Sequence, residues 1–146
     1  MKAVFTRLTK LLGQPPEGIG FCQFVAELGC EPIIDPPAYS IPTLGVTFTV
    51  FDQLFKCVLI HFDTPSTRQG TMSRYQADLP NDIDQDDAPE TIEKKLSVRP
   101  VHCERPSITG VSPKYFQDTY ALPPLVLVFE FATDIGKLSS IAVGRL

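Results

Sequence analysis

The stretch Tyr39-Ser40-Ile41-Pro42-Thr43-Leu44-Gly45-Val46-Thr47-Phe48 returns, with changes, as Tyr120-Ala121-Leu122-Pro123-Pro124-Leu125-Val126-Leu127-Val128-Phe129. Laid against itself at one constant offset, the chain brings Tyr39 onto Tyr120, Pro42 onto Pro123, Leu44 onto Leu125 and Phe48 onto Phe129. Each copy leads in through prolines, which cannot continue a helix, and then alternates with a period of two, the pattern of a strand with one buried face. In the first copy Leu44, Val46, Phe48 and Val50 share one face, with Gly45, Thr47 and Thr49 on the other. In the second, Leu125, Leu127, Phe129 and Phe131 alternate with Val126, Val128 and Glu130.

A return strand follows each copy. After the short turn Asp52-Gln53, residues 55–62 place Val58, Ile60 and Phe62 inward and Cys57, Leu59 and His61 outward. After Thr133-Asp134-Ile135-Gly136, residues 138–143 do the same, with Leu138, Ile141 and Val143 answering Phe55, Val58 and Ile60. The order of helix, proline-rich approach, strand, turn and strand thus occurs twice, which points to a duplication.

The helices are read from the 3.6-residue period. Val4, Leu8, Leu11 and Leu12 fall on one face of a helix over residues 2–12, stopped by Gly13 and then Pro15 and Pro16. Phe21, Phe24, Val25 and Leu28 recur at helical spacing, with Gly29 as a left-handed cap and Pro32 beyond it. Asp87-Ala88-Pro89-Glu90 has the form of a helix start, an Asp cap followed by an early Pro and an acid, and opens a third helix to about Leu96. Residues 31–42 read as an extended connection, 63–74 as a polar crossing, and 97–118 as a segment in which Pro100, Pro106 and Pro113 exclude a long helix.

The expectation is an α+β fold over residues 1–146 as a single domain. Two related helix–β-hairpin halves, about 1–62 and 88–146, are joined by a polar and acidic connection at 63–87. Together they would form one antiparallel sheet of about four strands packed against helices. Such a sheet keeps a second face, carrying Thr47, Thr49, Leu59, His61, Val126, Val128 and Glu130, open as a docking surface.

The bulk composition narrows the function. With 43% hydrophobic and 21% charged residues the chain has the makings of one packed core. A net charge of -4 without a basic stripe argues against nucleic acid as a partner. The apolar residues of the first thirteen positions are interrupted by charges, unlike a signal peptide or a membrane span, so the expected location is the cytoplasm and no membrane contact is expected. Cys22, Cys30, Cys57 and Cys103 are widely spaced and never form a CxxC pair, which reads as reduced, buried thiols.

No catalytic motif emerges. His61 and His102 have no partner at metal-ligand spacing, and GxSxG, the P-loop and GxGxxG are all missing, so neither a metal nor another cofactor is expected. Cys103 with His61 as its base would be the one imaginable nucleophilic pair, and it is not favoured. The unusual chemistry is acidic: Asp78, Asp82, Asp84, Asp86, Asp87 and Glu90 are six of the seventeen acids, in a stretch without Lys or Arg. A solvated loop ending in a helix cap accounts for it, and so does a patch that steers a basic partner into contact. Asp82, Asp84 and Asp86 have the alternate spacing of a calcium loop, but its glycine and distal bidentate glutamate are missing.

Several fragments, in this order, give the chain a family likeness: Leu11-Leu12-Gly13, Glu27-Leu28-Gly29, Leu44 to Phe48, Val58 to Phe62, Tyr75 to Pro80, and Phe129 to Val143. In these the chain resembles small bacterial immunity proteins, the cytoplasmic antidotes of bacteriocins and other polymorphic toxins. It departs from them at Leu96-Ser97, where Leu-Gly-x-Pro is usual. The two-repeat layout is also similar, at the level of fold alone, to that of β-lactamase inhibitor proteins. The resemblance implies a non-enzymatic protein that binds and neutralises a cognate toxin domain in the cytoplasm. Its expected contacts are Asp78, Asp82, Asp84, Asp86, Asp87 and Glu90 with Thr47, Thr49, His61 and Glu130 of the outer sheet face. The alternative is a non-catalytic adaptor or structural subunit that forms homodimers or larger assemblies through that face.

Overall fold

The three helices and the four central strands form where the two periodicities predict them. The computed structural model describes residues 3–63, 66–67, 70–105, 115–132 and 136–146. Helix α1 (Val4–Leu11) buries Val4, Phe5, Leu8 and Leu11 on one stripe. Helix α2 (Ile19–Leu28) buries Phe21 and Phe24 and ends on Gly29 at φ 68, the left-handed cap expected there. Helix α3 (Pro89–Leu96) buries Ile92 and Leu96. Its cap differs from expectation: Ala88 occupies the N-cap position without a side-chain hydrogen bond, because the Asp87 carboxylate turns instead to Asp84 and Lys95.

The sheet is twice as wide as the alternation suggested. Strands β1 (Ile33–Asp35), β2 (Ala38–Ile41), β3 (Val46–Phe51) and β4 (Leu54–His61) precede a two-stranded hairpin, β5 (Ser66–Thr67) with β6 (Gly70–Thr71). Strands β7 (Val101–Arg105), β8 (Tyr115–Leu122), β9 (Leu125–Ala132) and β10 (Lys137–Arg145) follow α3. Eight of these form one antiparallel sheet in the order β1-β2-β3-β4-β10-β9-β8-β7. The expected sheet of about four strands was short by four because the proline-containing segments ahead of β3 and β9 read as non-strand. Proline bars a ladder hydrogen bond at its own position but not a short strand between prolines. Ile33–Asp35 and Ala38–Ile41 pair across the turn Pro36-Pro37, and Tyr115–Leu122 pairs with Leu125–Ala132 across Pro123-Pro124.

That pairing also corrects the constant offset between the halves. Tyr39 lies opposite Phe48, but Tyr120 lies opposite Leu127, two residues earlier than Phe129. The connection Pro42–Gly45 is two residues longer than Pro123-Pro124, so Leu44 sits in a turn whereas Leu125 opens a strand. Of the turn expected at Thr133-Asp134-Ile135-Gly136, residues 133–135 lie outside the described residues, as does 106–114 within the stretch read as irregular.

The halves meet where β4 pairs with β10, with Ile60 opposite Ile141 and Val58 opposite Val143. All four are fully buried, and each such side chain contributes about 1.5–3 kcal/mol when taken out of water. The same face carries Phe48, Leu127, Phe129 and Tyr120, over which the helices lie in one apolar core. Phe21 of α2 packs edge-on against Phe55, Phe48 and Tyr39, with centroids 5.0, 5.7 and 6.1 Å away. Such aromatic pairs add about 0.5–1.5 kcal/mol each beyond their buried area.

Chain crossings set two exacting backbone positions. Residues 73–75 run over the end of β3, Ser73 N–H donating to Pro42 O and Tyr75 N–H to His61 O. Gly45 lies beneath this crossing at φ +80, where a Cβ would collide with the Ser73 carbonyl oxygen and stand 2.8 Å from the Tyr75 amide nitrogen. At the end of α3 the left-handed cap is Ser97, at φ 56, where the cap of α2 is Gly29 at φ 68. The two sites predict opposite signs. Gly45→Ala should cost about 2–4 kcal/mol in urea unfolding, through strain and backbone overlap. Ser97→Gly should add about 1 kcal/mol by removing the left-handed penalty.

Candidate functional site

The outer sheet face is built by register. One row across the strands reads Leu59, Ala142, Val128 and Thr119, and a second reads Cys57, Gly144, Val126 and Ala121. The next row, two residues along, is polar: His61, Ser140, Glu130 and Gln117. All but exposed Ala121 are half-buried, so no described helix lies over this face. Its centre is made of small and apolar side chains and one margin is polar.

The four expected sheet contacts occupy this face in different ways. Thr49 is exposed. Thr47 is engaged within the fold: its Oγ1 lies 3.0 Å from Ser40 Oγ and 3.2 Å from His61 Nε2, and it donates to Met72 Sδ at 3.8 Å. His61 titrates below its ordinary range because burial disfavours the imidazolium, an effect that nearby Asp63 partly offsets. Glu130 Oε2 accepts from Gln117 Nε2 at 3.3 Å, and its carbonyl from Ser139 Oγ at 3.1 Å.

The acidic stretch lies on the other side of the sheet, tied to the helices. Asp78 Oδ1 accepts from Val4 N–H at 2.7 Å, satisfying an orphan amide at the start of α1 from 74 residues away. A one-turn 3-10 helix at Pro80–Asp82 follows, where the Asp82 carbonyl accepts from Lys95 Nζ at 2.7 Å. Asp84 Oδ1 accepts from Asp86 N–H at 2.9 Å. Asp87 Oδ2 accepts from Asp84 N–H at 2.9 Å and pairs with Lys95 Nζ at 2.6 Å. Of the six acids all but half-buried Asp87 are exposed, and the carboxylates of Asp82, Asp86 and Glu90 are not used in the bonds just described. The structure therefore does not join the acidic stretch and the outer face into one surface. Half of the stretch is internal fastening, which sequence spacing could not reveal because the partners Val4 and Lys95 are brought in by the fold.

A third place was missed. His102 Nδ1 stands 2.6 Å from Asp118 Oδ1, and since a carboxylate only accepts, the Nδ1 proton lies between them. The His102 side chain is 51% exposed and that of Asp118 only 6%. The pair opens on a cleft of about 480 Å³ whose wall includes Glu90 and Glu93 of α3, Arg99 and Phe116. Nearby, the buried Tyr120 hydroxyl has no hydrogen-bond partner among the described residues. Burial first, then the Asp118 and Glu93 carboxylates, push it up to about 12. The sequence signal was there in retrospect: Phe116, Asp118, Tyr120 and Leu122 alternate, and one acid among three apolar residues on a core face requires a partner.

Other expectations are corrected or bounded. Cys22 and Cys103 are exposed and Cys30 and Cys57 half-buried, so the cysteines are not core thiols. Cys103 and His61 stand on β7 and β4, four inter-strand spacings apart, or about 19 Å, and cannot act as nucleophile and base. Among the described residues no three His, Cys, Asp or Glu side chains are grouped to hold a metal ion, and no helix is long and apolar enough to cross a membrane.

No protein-family model matches the chain. No curated protein matches it either. Among solved structures, the fold is similar to that of an extracellular protein containing a SCP domain from Bacillus anthracis str. Ames, with a TM-score of 0.54 and 13% sequence identity. The match covers 93% of this chain and 44% of that one, so the present chain spans less than half of that protein's length. At this identity the likeness is one of fold alone.

Two of the shifted groups, His61 and Asp87, give stability a two-step acid dependence. His61 is harder to protonate in the folded state, so stability declines as pH falls below its ordinary 6.5. Burial raises the Asp87 carboxyl, but the Asp84 amide and Lys95 outweigh it and hold the native value below the ordinary 3.8. That contribution is complete above 3.8 and is lost as pH falls through the lower native value. Urea midpoints measured from about pH 7 down to about pH 2 should lose the upper step in His61→Gln and flatten at the lower one in Asp87→Asn.

Proposed function

We propose that this chain is a non-catalytic immunity protein that binds a cognate toxin domain in the cytoplasm and neutralises it by protein–protein contact. The observation that carries the reading is the outer sheet face. Leu59, Ala142, Val126 and Val128 form an apolar centre across β4, β10 and β9, bordered by His61, Ser140, Glu130 and Gln117. A rigid eight-stranded platform presents these side chains in a preset arrangement, so little ordering entropy opposes association. The class of partner comes from the resemblance to immunity proteins. Exposed Asp82, Asp86 and Glu90, on the helix side of the sheet, add a long-range field that favours a basic partner without touching it.

Co-expression with the products of neighbouring reading frames tests the reading. One of them should be toxic alone, harmless with this chain, and recovered in complex with it. Leu59→Asp and Val128→Asp, each placing a charge in the centre of the face, should weaken the complex by more than about thirtyfold, the effect of losing a central interface contact. Circular dichroism should show both variants folded. Absence of protection by every pair, or protection that survives both substitutions, overturns the proposal.

A further inference from the structure

Where β3 turns into β4, an apolar groove of about 710 Å³ opens between the hairpin tip and the start of α2. Pro16, Pro36, Pro37, Tyr39, Val50 and Phe51 line it. Its size falls within the range that holds one or two large side chains of a ligand. The floor is rigid: Tyr39 is wedged against Phe21 and Phe55, with ring centroids 6.1 and 5.7 Å away, and the prolines have no free φ.

The rim has features that the fold itself does not require. Phe51 is 67% exposed, Ile34, directly opposite Tyr39 in the ladder, is 53% exposed, and Ile19 at the start of α2 is 74% exposed. Phe51 lines the groove, and Ile34 and Ile19 each stand two residues along the chain from a lining residue, Pro36 and Glu17, so three of the five large hydrophobic residues left in solvent among the described residues lie on it or next to it in sequence. The turn that carries Phe51 is strained as well. Asp52 and Gln53 both adopt left-handed backbone, φ 53 and 65, where Asn-Gly would be at ease.

Charge selects the occupant. Glu17 and Asp52 line the groove, Asp35 directly precedes Pro36, and none of the described lining residues is Lys or Arg. A two-fold contact with a second copy would set these acids against themselves, and an anionic bilayer would be repelled in the same way. We infer that this groove docks a linear segment of a protein partner in which a large apolar side chain neighbours Lys or Arg. The apolar side chain would enter between Tyr39 and Phe51 while the cation meets Asp52 or Glu17. The surface is distinct from the outer sheet face, and the inference does not depend on the toxin-binding reading.

Panning a library of displayed random peptides on the full chain tests it. Enriched peptides should combine a large apolar residue with Lys or Arg, bind more weakly as salt rises, and lose at least about tenfold in affinity against Phe51→Ser or Asp52→Lys, as expected when an anchor contact is removed. Phe51 is solvent-exposed, so Phe51→Ser should keep the native melting profile. Leu59→Asp, on the outer face, should leave peptide binding unchanged. Failure to enrich any sequence, enrichment of peptides without basic residues, or binding indifferent to Phe51→Ser overturns the inference. So does a Phe51-dependent dimer in sedimentation, which would make the groove a self-contact.

Discussion

The β4–β10 seam is the contact on which the other elements depend. Ile60 against Ile141 and Val58 against Val143 join strands that are far apart in sequence, and every other strand of the large sheet is hung outward from this pair. The order that results is palindromic: four strands of the first half run from one edge to the centre and four of the second run back to the other edge. A strand pair with only small or polar side chains here would leave two separate four-stranded meanders, each with an open edge. The seam also sets the rows of the outer face, because antiparallel register places Leu59 beside Ala142 and His61 beside Ser140.

The acidic stretch shows how the same carboxylates can serve structure and field at once. Asp78 and Asp87 each bond an amide that would otherwise be unpaired or a lysine, which ties the connection to α1 and α3. Charge-assisted bonds of this kind are stronger than neutral ones, yet they leave Asp82, Asp86 and Glu90 facing water. The connection is therefore a clasp on the helical layer. The sheet separates it from the outer face, so the two surfaces differ in physics: a local excess of negative charge on one side, an apolar centre on the other.

Three surfaces with distinct characters emerge. The outer face is apolar at the centre and polar along one margin. The hairpin-tip groove is concave, aromatic and rimmed with acids. The His102–Asp118 cleft is polar, with its buried carboxylate held by an imidazole that is half in solvent. Asp118 on a core-facing position needs that imidazole, since an unpaired buried carboxylate is costly. The pair is one cross-strand contact of the ladder that joins β7 to β8 at the sheet edge.

Much of the architecture was legible from local pattern. Val4, Leu8 and Leu11, then Phe21 and Phe24, marked helices, and the alternations running through Phe48, Ile60, Phe129 and Val143 marked the four central strands, because side-chain periodicity is a local consequence of backbone geometry. The outward positions Thr47, Thr49, Leu59, His61, Val126, Val128 and Glu130 were likewise legible, since one register slip would have moved them all to the core. Strands β1, β2, β7 and β8 were not, because prolines mask short strands and the partner that makes an edge strand worth forming lies elsewhere in the chain. Nor could spacing reveal Asp78 at the start of α1, Lys95 on Asp87, or His102 on Asp118. The sequence by itself determined the repeated elements and which face of each is apolar. Only the tertiary structure decided how many strands join, which acids are spent on internal bonds, and where an exposed Phe51 meets Pro36, Pro37 and Tyr39. Those outcomes depend on contacts between residues distant along the chain, whose proximity no local period encodes.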